Sequence, residues 1–188
     1  MESKINIDKI GNLMILLSDK LPTLYLTKLL KLLYIIDETS ISECGVPVTW
    51  LDYKVWEKGP VATDIYFDIL QNNELFNKYI RVLDNASYKG AGKKIISKQA
   101  FDDSEFSDYE LELVDKIISK YGSKNSDELI DILHQENSLW HKVVKEKDLE
   151  YLFKIESTSP YSIDLTERIK GEPQKMDLYN SVREMMAL

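Results

Sequence analysis

The sequence predicts a mainly α-helical protein, a single compact helical domain with a small β-hairpin as a minor β element. Three observations support this fold class. Apolar residues recur at helical spacing through most of the 188 residues. Helix-capping patterns precede several of these runs, and two short β-prone runs flank a turn-forming segment. The hydrophobic share of 44% is sufficient for one sizeable core.

Two helices are predicted near the N-terminus. The first, over residues 4–17, carries apolar residues at steps of three and four: Ile7, Ile10, Leu13, Met14 and Leu17. The second, from Thr23 to about Glu43, is apolar on most sides, which is typical of the buried central helix of a helical domain. We expect Pro22 to open it, because a proline costs little at a helix start, and Gly45 with Pro47 to end it.

The segment DYKVWEKGPVATDIYFDIL, residues 52–70, predicts two further helices, over residues 49–56 and 61–70. They would meet at a rigid corner, because Gly59 can adopt backbone conformations closed to other residues and Pro60 starts a helix well. Val61, Ile65 and Ile69 would carry the second helix into the core. The corner also bears three aromatic residues that could either pack internally or form an interaction pocket: Tyr53, Trp56 and Tyr66.

The second half of the chain is predicted to contain a hairpin followed by helices. The runs YIRVLD and KKIIS flank NASYKGAGK, which favours a β-hairpin. Ser107 with Glu110 forms a capping box before a helix that Gly122 ends, and Asn125 or Ser126 caps the next one. Helix is also expected in SLWHKVVKEKDLEYLFKI and over residues 176–188, with a loop at residues 157–162.

The charge of the chain is unevenly distributed. The formal net charge is −8, and the 36 residues from 101 to 136 hold 3 Lys against 11 Asp and Glu. The acidic balance disfavours nucleic acid and anionic membranes as partners, although a local basic patch leaves an autorepressor role open: Lys89, Lys93, Lys94 and Lys98. The acidic span itself is either a solvated helix face or a docking surface for a basic protein.

Cysteine content and hydropathy favour the cytoplasm. A single cysteine, Cys44, allows no internal disulfide, which fits a reducing compartment. The apolar run Leu13 to Leu17 is too short for a secretion signal, and no run is long enough to span a membrane.

The sequence offers no strong catalytic signal. His134, Glu136 and His141 are the one candidate metal group, but the residues ENS are expected to break the helix between the two histidines. SYKGAGKK lacks the first glycine of a phosphate-binding loop and has Lys94 where Ser or Thr would bind magnesium. We therefore predict no catalytic residue, no bound metal and no cofactor, and keep a small metal-dependent enzyme using the two histidines and Glu136 as an alternative.

The order of several short motifs resembles that of a known family. TKLLKLLYIIDETSISECGVPVTWLDYKVWEKGPVATDIYFDIL, and then FSDYELELVDKIISKYGSKNSDELIDILHQENSLW, are similar to the Panacea domain of the SocA-like antitoxins, also described as phage-associated proteins. The resemblance covers residues 5–145, within a predicted domain 1–150 followed by a C-terminal extension, 151–188, packed on it. The motif residues that the resemblance marks as possible partner contacts are Lys31, Tyr34, Trp56, Gly59, Pro60, Val61, His134 and Trp140.

The resemblance implies an antitoxin rather than an enzyme. Such a protein would neutralise, by direct contact, a toxin encoded by the adjacent gene of a bacterial or prophage toxin–antitoxin system. An alternative role in the same family is that of an adaptor, which delivers the toxin to a cytoplasmic protease.

Overall fold

The computed structural model describes residues 5–71, 74–85 and 92–186. Over these ranges the chain forms helices α1 (Ile7–Lys20), α2 (Leu26–Cys44), α3 (Thr63–Gln71), α4 (Asp108–Tyr121), α5 (Ser126–Leu133), α6 (Leu139–Glu146), α7 (Leu149–Leu152) and α8 (Pro173–Met186), with a 3-10 helix (Leu165–Ile169) before α8. Strand β1 (Tyr53–Trp56) pairs with β2 (Gly59–Ala62), and β3 (Ile80–Asn85) pairs with β4 (Gly92–Ser97), both antiparallel. The predicted mainly α fold with minor β structure is confirmed.

Helix α2 is the centre of the fold. Its apolar residues face several directions, and it contacts β2, α4, α5 and the 3-10 helix. It begins at Leu26, so Pro22 lies in the preceding loop and the prediction that Pro22 opens the helix was wrong. The cause is a contact distant in sequence: the Ile95 amide of β4 donates to the Leu24 carbonyl at 2.8 Å, which holds this loop in an extended form.

The predicted helix over residues 49–56 was also wrong, because this segment contains strand β1. The backbone of Trp50 has a φ of 58°, a left-handed conformation that interrupts any helix there. Strand β1 then forms hydrogen bonds on both edges, to β2 on one side and to residues 157–163 on the other, where the Val55 amide donates to the Tyr161 carbonyl at 2.8 Å. A single sequence gives no local sign of a partner segment a hundred residues away.

Gly59 and Pro60 therefore begin a strand of a tight hairpin rather than join two helices. Pro60 lies opposite Val55, whose amide points away to residue 161, so the missing proline N–H breaks no ladder bond. Helix α3 follows at Thr63, so Val61 lies in β2 and not in the predicted helix. Val61, Ile65 and Ile69 are all buried, as expected.

Most of the remaining local predictions are confirmed. Both capping boxes are present, with Ser107 in front of α4 and Asn125 in front of α5, and Gly122 caps the end of α4. The hairpin of β3 and β4 forms, while residues 86–91 between the strands, including Lys89 and most of SYKGAGKK, lie outside the described residues. The terminal helix begins at Pro173, slightly earlier than expected.

The acidic span is on the surface of the protein. Two of its carboxylates pair with lysines, Glu110 with Lys9 and Asp115 with Lys20. Glu128 instead accepts a hydrogen bond from the Asn125 amide at the start of α5. Exposed carboxylates in this span, from the loop before α4 through the residues after α5, are Asp102, Asp103, Glu105, Asp108, Glu112, Asp115, Asp127, Glu128, Asp131 and Glu136. Its role as a docking surface stays a prediction.

The C-terminal residues contact the rest of the chain at several points. Arg168 donates to Glu38 Oε1 of α2 from both Nε, at 3.0 Å, and Nη2, at 2.9 Å, and the Lys175 amine donates to the Ser42 carbonyl at 2.6 Å. The predicted domain boundary at residue 150 stays a prediction. Among the described residues, no helix is both long enough and apolar enough to cross a bilayer.

Candidate functional site

The turn-proximal end of the β1–β2 hairpin meets α2 and the end of α5, and five of the predicted motif residues come together there. Lys31 comes from α2, Gly59 and Pro60 from β2, His134 from the C-terminal cap of α5, and Trp140 from α6. The sequence marked these residues individually, and the structure makes them one cluster, which we call the hairpin junction.

Lys31 lies inside the hairpin junction. Its side chain is 1% exposed, and its Nζ donates to the Pro60 carbonyl at 2.8 Å. Burial lowers the pKa of this amine from 10.5 to about 7, because the charged form loses its hydration. The amine therefore changes its protonation near neutral pH while it holds β2 against α2.

His134 is stacked on the Trp140 indole, with ring centroids 3.7 Å apart and planes 9° from parallel. Its Nε2 is buried and has no hydrogen-bond partner within the described part of the chain. Burial first, and then the positive charge of Lys31, lower the pKa of His134 to about 4, and Asp131 opposes this shift. The imidazole is thus neutral at physiological pH.

Lys31 Nζ and His134 Nε2 both lie close to the backbone of Gly59. Its φ is +93°, and a Cβ added there would lie 3.3 Å from Lys31 Nζ and 3.7 Å from His134 Nε2. A glycine is needed at this position both for the left-handed backbone and for the close approach of the amine.

Gly59→Ala should lower the free energy of unfolding by more than Gly171→Ala does. Gly171 has a φ of +101° and no atom within 4 Å of an added Cβ, so its substitution measures backbone strain alone, about 1–3 kcal/mol. At Gly59 the contact with the buried amine adds to that strain. Urea unfolding of both variants measures the difference, and equal losses would contradict the close approach of Lys31.

The backbone of Trp56 contacts the hairpin junction, and its side chain is partly exposed at the surface. The Trp140 indole Nε1 donates to the Trp56 carbonyl at 2.8 Å. The half-buried Trp56 ring meets Tyr66 edge to face at 4.9 Å, and Phe67 follows at 6.2 Å. We call Trp56, Tyr66 and Phe67 the aromatic surface. Of the three aromatic residues predicted at the corner, Tyr53 packs internally, at 1% exposed, and Phe67 was not anticipated from the sequence.

Tyr34 and Val61 lie outside the hairpin junction. Val61 is a core residue of β2, 5% exposed. Tyr34, one turn after Lys31 on α2, packs edge to face on Tyr53 at 5.2 Å and donates to Glu38 Oε1 at 2.9 Å. These two motif residues therefore build the interior of the fold.

A buried carboxylate next to Tyr34 was not anticipated from the sequence. Asp37 is 0% exposed, and its Oδ1 accepts hydrogen bonds from the amides of Val48, at 2.9 Å, and Thr49, at 2.8 Å. Its Oδ2 accepts from the Tyr53 hydroxyl at 2.8 Å and from the Thr49 hydroxyl. Burial raises the pKa of Asp37 to about 6, although all four hydrogen bonds act to lower it. An aspartate within the apolar run LLYIID was the one sequence signal of this centre.

The candidate metal group is not carried on one helix. Helix α5 ends at Leu133 and α6 begins at Leu139, with the Ser138 hydroxyl accepting from the His141 amide, so the predicted break is confirmed. Among residues 5–71, 74–85 and 92–186, no three or more His, Cys, Asp and Glu side chains are grouped to hold a metal ion.

Comparison with known proteins identifies the family. Residues 29–141 match the family described as "Antitoxin SocA-like, Panacea domain". The chain belongs to this family. The match covers more than half of the chain and includes every motif residue singled out above, so the resemblance inferred from the ordered motifs is confirmed. No curated protein and no solved structure matches the chain.

The Panacea domain thus has a buried junction beneath an aromatic surface. The Lys31 amine holds Pro60 of the hairpin to α2, Gly59 leaves room for Lys31 and His134, and the Trp140 indole holds the backbone of Trp56. The arrangement places the rings of Trp56, Tyr66 and Phe67 next to one another above this junction.

Proposed function

We propose that this protein is the antitoxin of a bacterial or prophage toxin–antitoxin system and that it neutralises its toxin by direct protein–protein contact. The match of residues 29–141 to the SocA-like antitoxin family carries the proposal. The toxin would be the product of the adjacent gene, and the complex would form in the cytoplasm without a catalytic step, metal ion or cofactor from the antitoxin.

The charge and the surface of the chain agree with a binding role. A net charge of −8 suits a basic protein partner, because complementary charge speeds association and selects the partner. Hydrogen bonds from the motif residues Lys31 and Trp140 hold the hairpin to α2 and α6, and a surface fixed in this way loses less entropy on binding.

Coexpression with the adjacent reading frame tests the proposal. Induction of that reading frame alone should stop growth, and induction of both should restore growth, with the two proteins eluting together after purification. The matched control is the same vector with a stop codon early in the present chain. A harmless neighbour, or a neighbour that remains lethal when this protein is made, would contradict the proposal.

Toxin half-life separates occlusion from delivery to a protease. If the protein covers its toxin, the toxin persists in the neutralised cells with an unchanged half-life. If the protein is an adaptor, the half-life shortens in its presence and recovers in a strain that lacks the protease.

A further inference from the structure

We propose that the toxin docks on the aromatic surface of Trp56, Tyr66 and Phe67, and that the docking segment of the toxin is basic, with Lys or Arg side chains against these rings. This inference rests on the proposed function and assigns it a place on the molecule.

The three rings hold one another in place. Trp56 and Tyr66 meet edge to face at 4.9 Å, and Tyr66 and Phe67 do so at 5.3 Å. The backbone below is fixed by the Trp140 indole, and the opposite face of α3 is held in the core by Ile65 and Ile69. Aromatic side chains that are already ordered lose little conformational entropy when they bind, which is why such residues dominate binding hot spots.

Phe67 is the most exposed of the three rings. It is 48% exposed, while Tyr66 and Trp56 are half-buried beside it. Single exposed apolar side chains are common on protein surfaces, and Tyr151 on α7, 68% exposed, is one of them. Phe67 differs because it contacts two other aromatic rings, Trp56 and Tyr66, and the three form one apolar patch. Apolar patches on a protein surface are typical of contacts with other proteins.

The charges next to the rings select a basic partner. Glu57 follows Trp56 in the hairpin turn, and Asp64 stands three residues before Phe67 on α3, where it shares the helix surface with it; both are exposed. Against these two carboxylates the turn contributes one cation, Lys58. Lys or Arg side chains would interact with both the carboxylates and the ring faces.

A second copy of the chain suits this surface less well than a basic toxin does. In a symmetric dimer the same patch would face itself, which would bring Glu57 and Asp64 of one copy towards those of the other. Like charges placed together oppose association. The acidic rim therefore favours a partner of opposite charge.

Phe67→Ser tests the aromatic part of the proposal, and Tyr151→Ser is its matched control, since it removes an exposed aromatic ring elsewhere. Binding to the purified toxin is measured by calorimetry, and growth rescue is measured in the coexpression strain. We expect Phe67→Ser to raise Kd at least about tenfold and to weaken rescue, with an unchanged Tm. We expect Tyr151→Ser to behave as the wild type.

Glu57→Lys tests the charge part, with Glu184→Lys on the exposed face of α8 making the same charge change elsewhere. The first variant should lower the association rate constant several-fold at low salt and reduce its salt dependence. The control should change both far less. Glu57 lies in an exposed turn, so we expect Glu57→Lys to leave the fold intact. It therefore still tests the docking site if Phe67→Ser lowers the Tm.

The outcomes distinguish the site from the function. If the wild-type chain neither binds nor neutralises the neighbouring product, the proposed function fails and this inference fails with it. If the wild type neutralises, and Phe67→Ser and Glu57→Lys bind as it does, the site alone is wrong. If the chain alone sediments as a dimer that Phe67→Ser dissociates while toxin binding is kept, a second copy occupies the surface and the proposal is overturned.

Discussion

Asp37→Ala should lower the free energy of unfolding by at least about 3 kcal/mol, one of the two largest effects that we expect from a single substitution. The carboxylate lies in the core and accepts four hydrogen bonds, from the amides of Val48 and Thr49 and from the hydroxyls of Thr49 and Tyr53. Alanine leaves all four donors buried without an acceptor. Each unpaired buried donor costs about 1–3 kcal/mol before the structure relaxes.

Urea unfolding measures the loss, and two further variants separate its causes. Asp37→Asn keeps the shape and one carbonyl acceptor, so it should cost less than Asp37→Ala. Asp177→Ala, at an exposed position of α8, should change the unfolding free energy by less than about 0.5 kcal/mol. A loss below about 1 kcal/mol for Asp37→Ala would show that the four donors find other acceptors.

The stability of the wild type relative to Lys31→Met should rise with pH between about 7 and 10.5. Burial lowers the pKa of Lys31 to about 7 in the folded protein, against 10.5 for an ordinary lysine. Below both values the amine is charged in the folded and the unfolded chain, and the folded protein bears the full cost of a buried charge. Between them only the unfolded chain holds the proton, so raising the pH favours the folded state, by up to about 1.4 kcal/mol per pH unit.

Urea unfolding of both proteins at three pH values inside this window gives the relative stability directly. Groups other than Lys31 titrate in both proteins, so their contributions cancel in the difference, and the pKa of His134, about 4, lies outside the window. Lys58→Met, at an exposed lysine of the hairpin turn, is the control and should parallel the wild type. Parallel profiles for Lys31→Met would contradict a buried amine with a lowered pKa.

The helical part of the fold was predictable because its signals are local. The capping box at Ser107, the cap at Asn125 and the apolar run of α2 each specify structure within a few residues of themselves. Strand β1 was not predictable in this way, since one of its edges pairs with β2 and the other with residues 157–163. Residues of β1 also fit a short helix when their neighbours in space are unknown.

The candidate site divides along the same line. The sequence identified Lys31, Gly59, His134 and Trp140 as motif residues. It did not show that they lie together, because this depends on how α2, α5 and the hairpin pack. The burial of Lys31 could not be predicted from the sequence, because lysine side chains are seldom buried, even on a central helix such as α2. Phe67 was missed because its exposure depends on which face of α3 packs against the core.

The outer edge of β1 is covered by a segment that the family match does not include. Residues 157–163 lie beyond the matched range 29–141, yet they supply acceptors for the Val55 and Glu57 amides. In a fragment that ends at residue 141, the outer edge of β1 would be exposed. Its unpaired backbone N–H groups could then form hydrogen bonds with another extended chain. A fragment that ends at the limit of the family match would thus expose a strand edge that the full chain covers, and we expect it to self-associate.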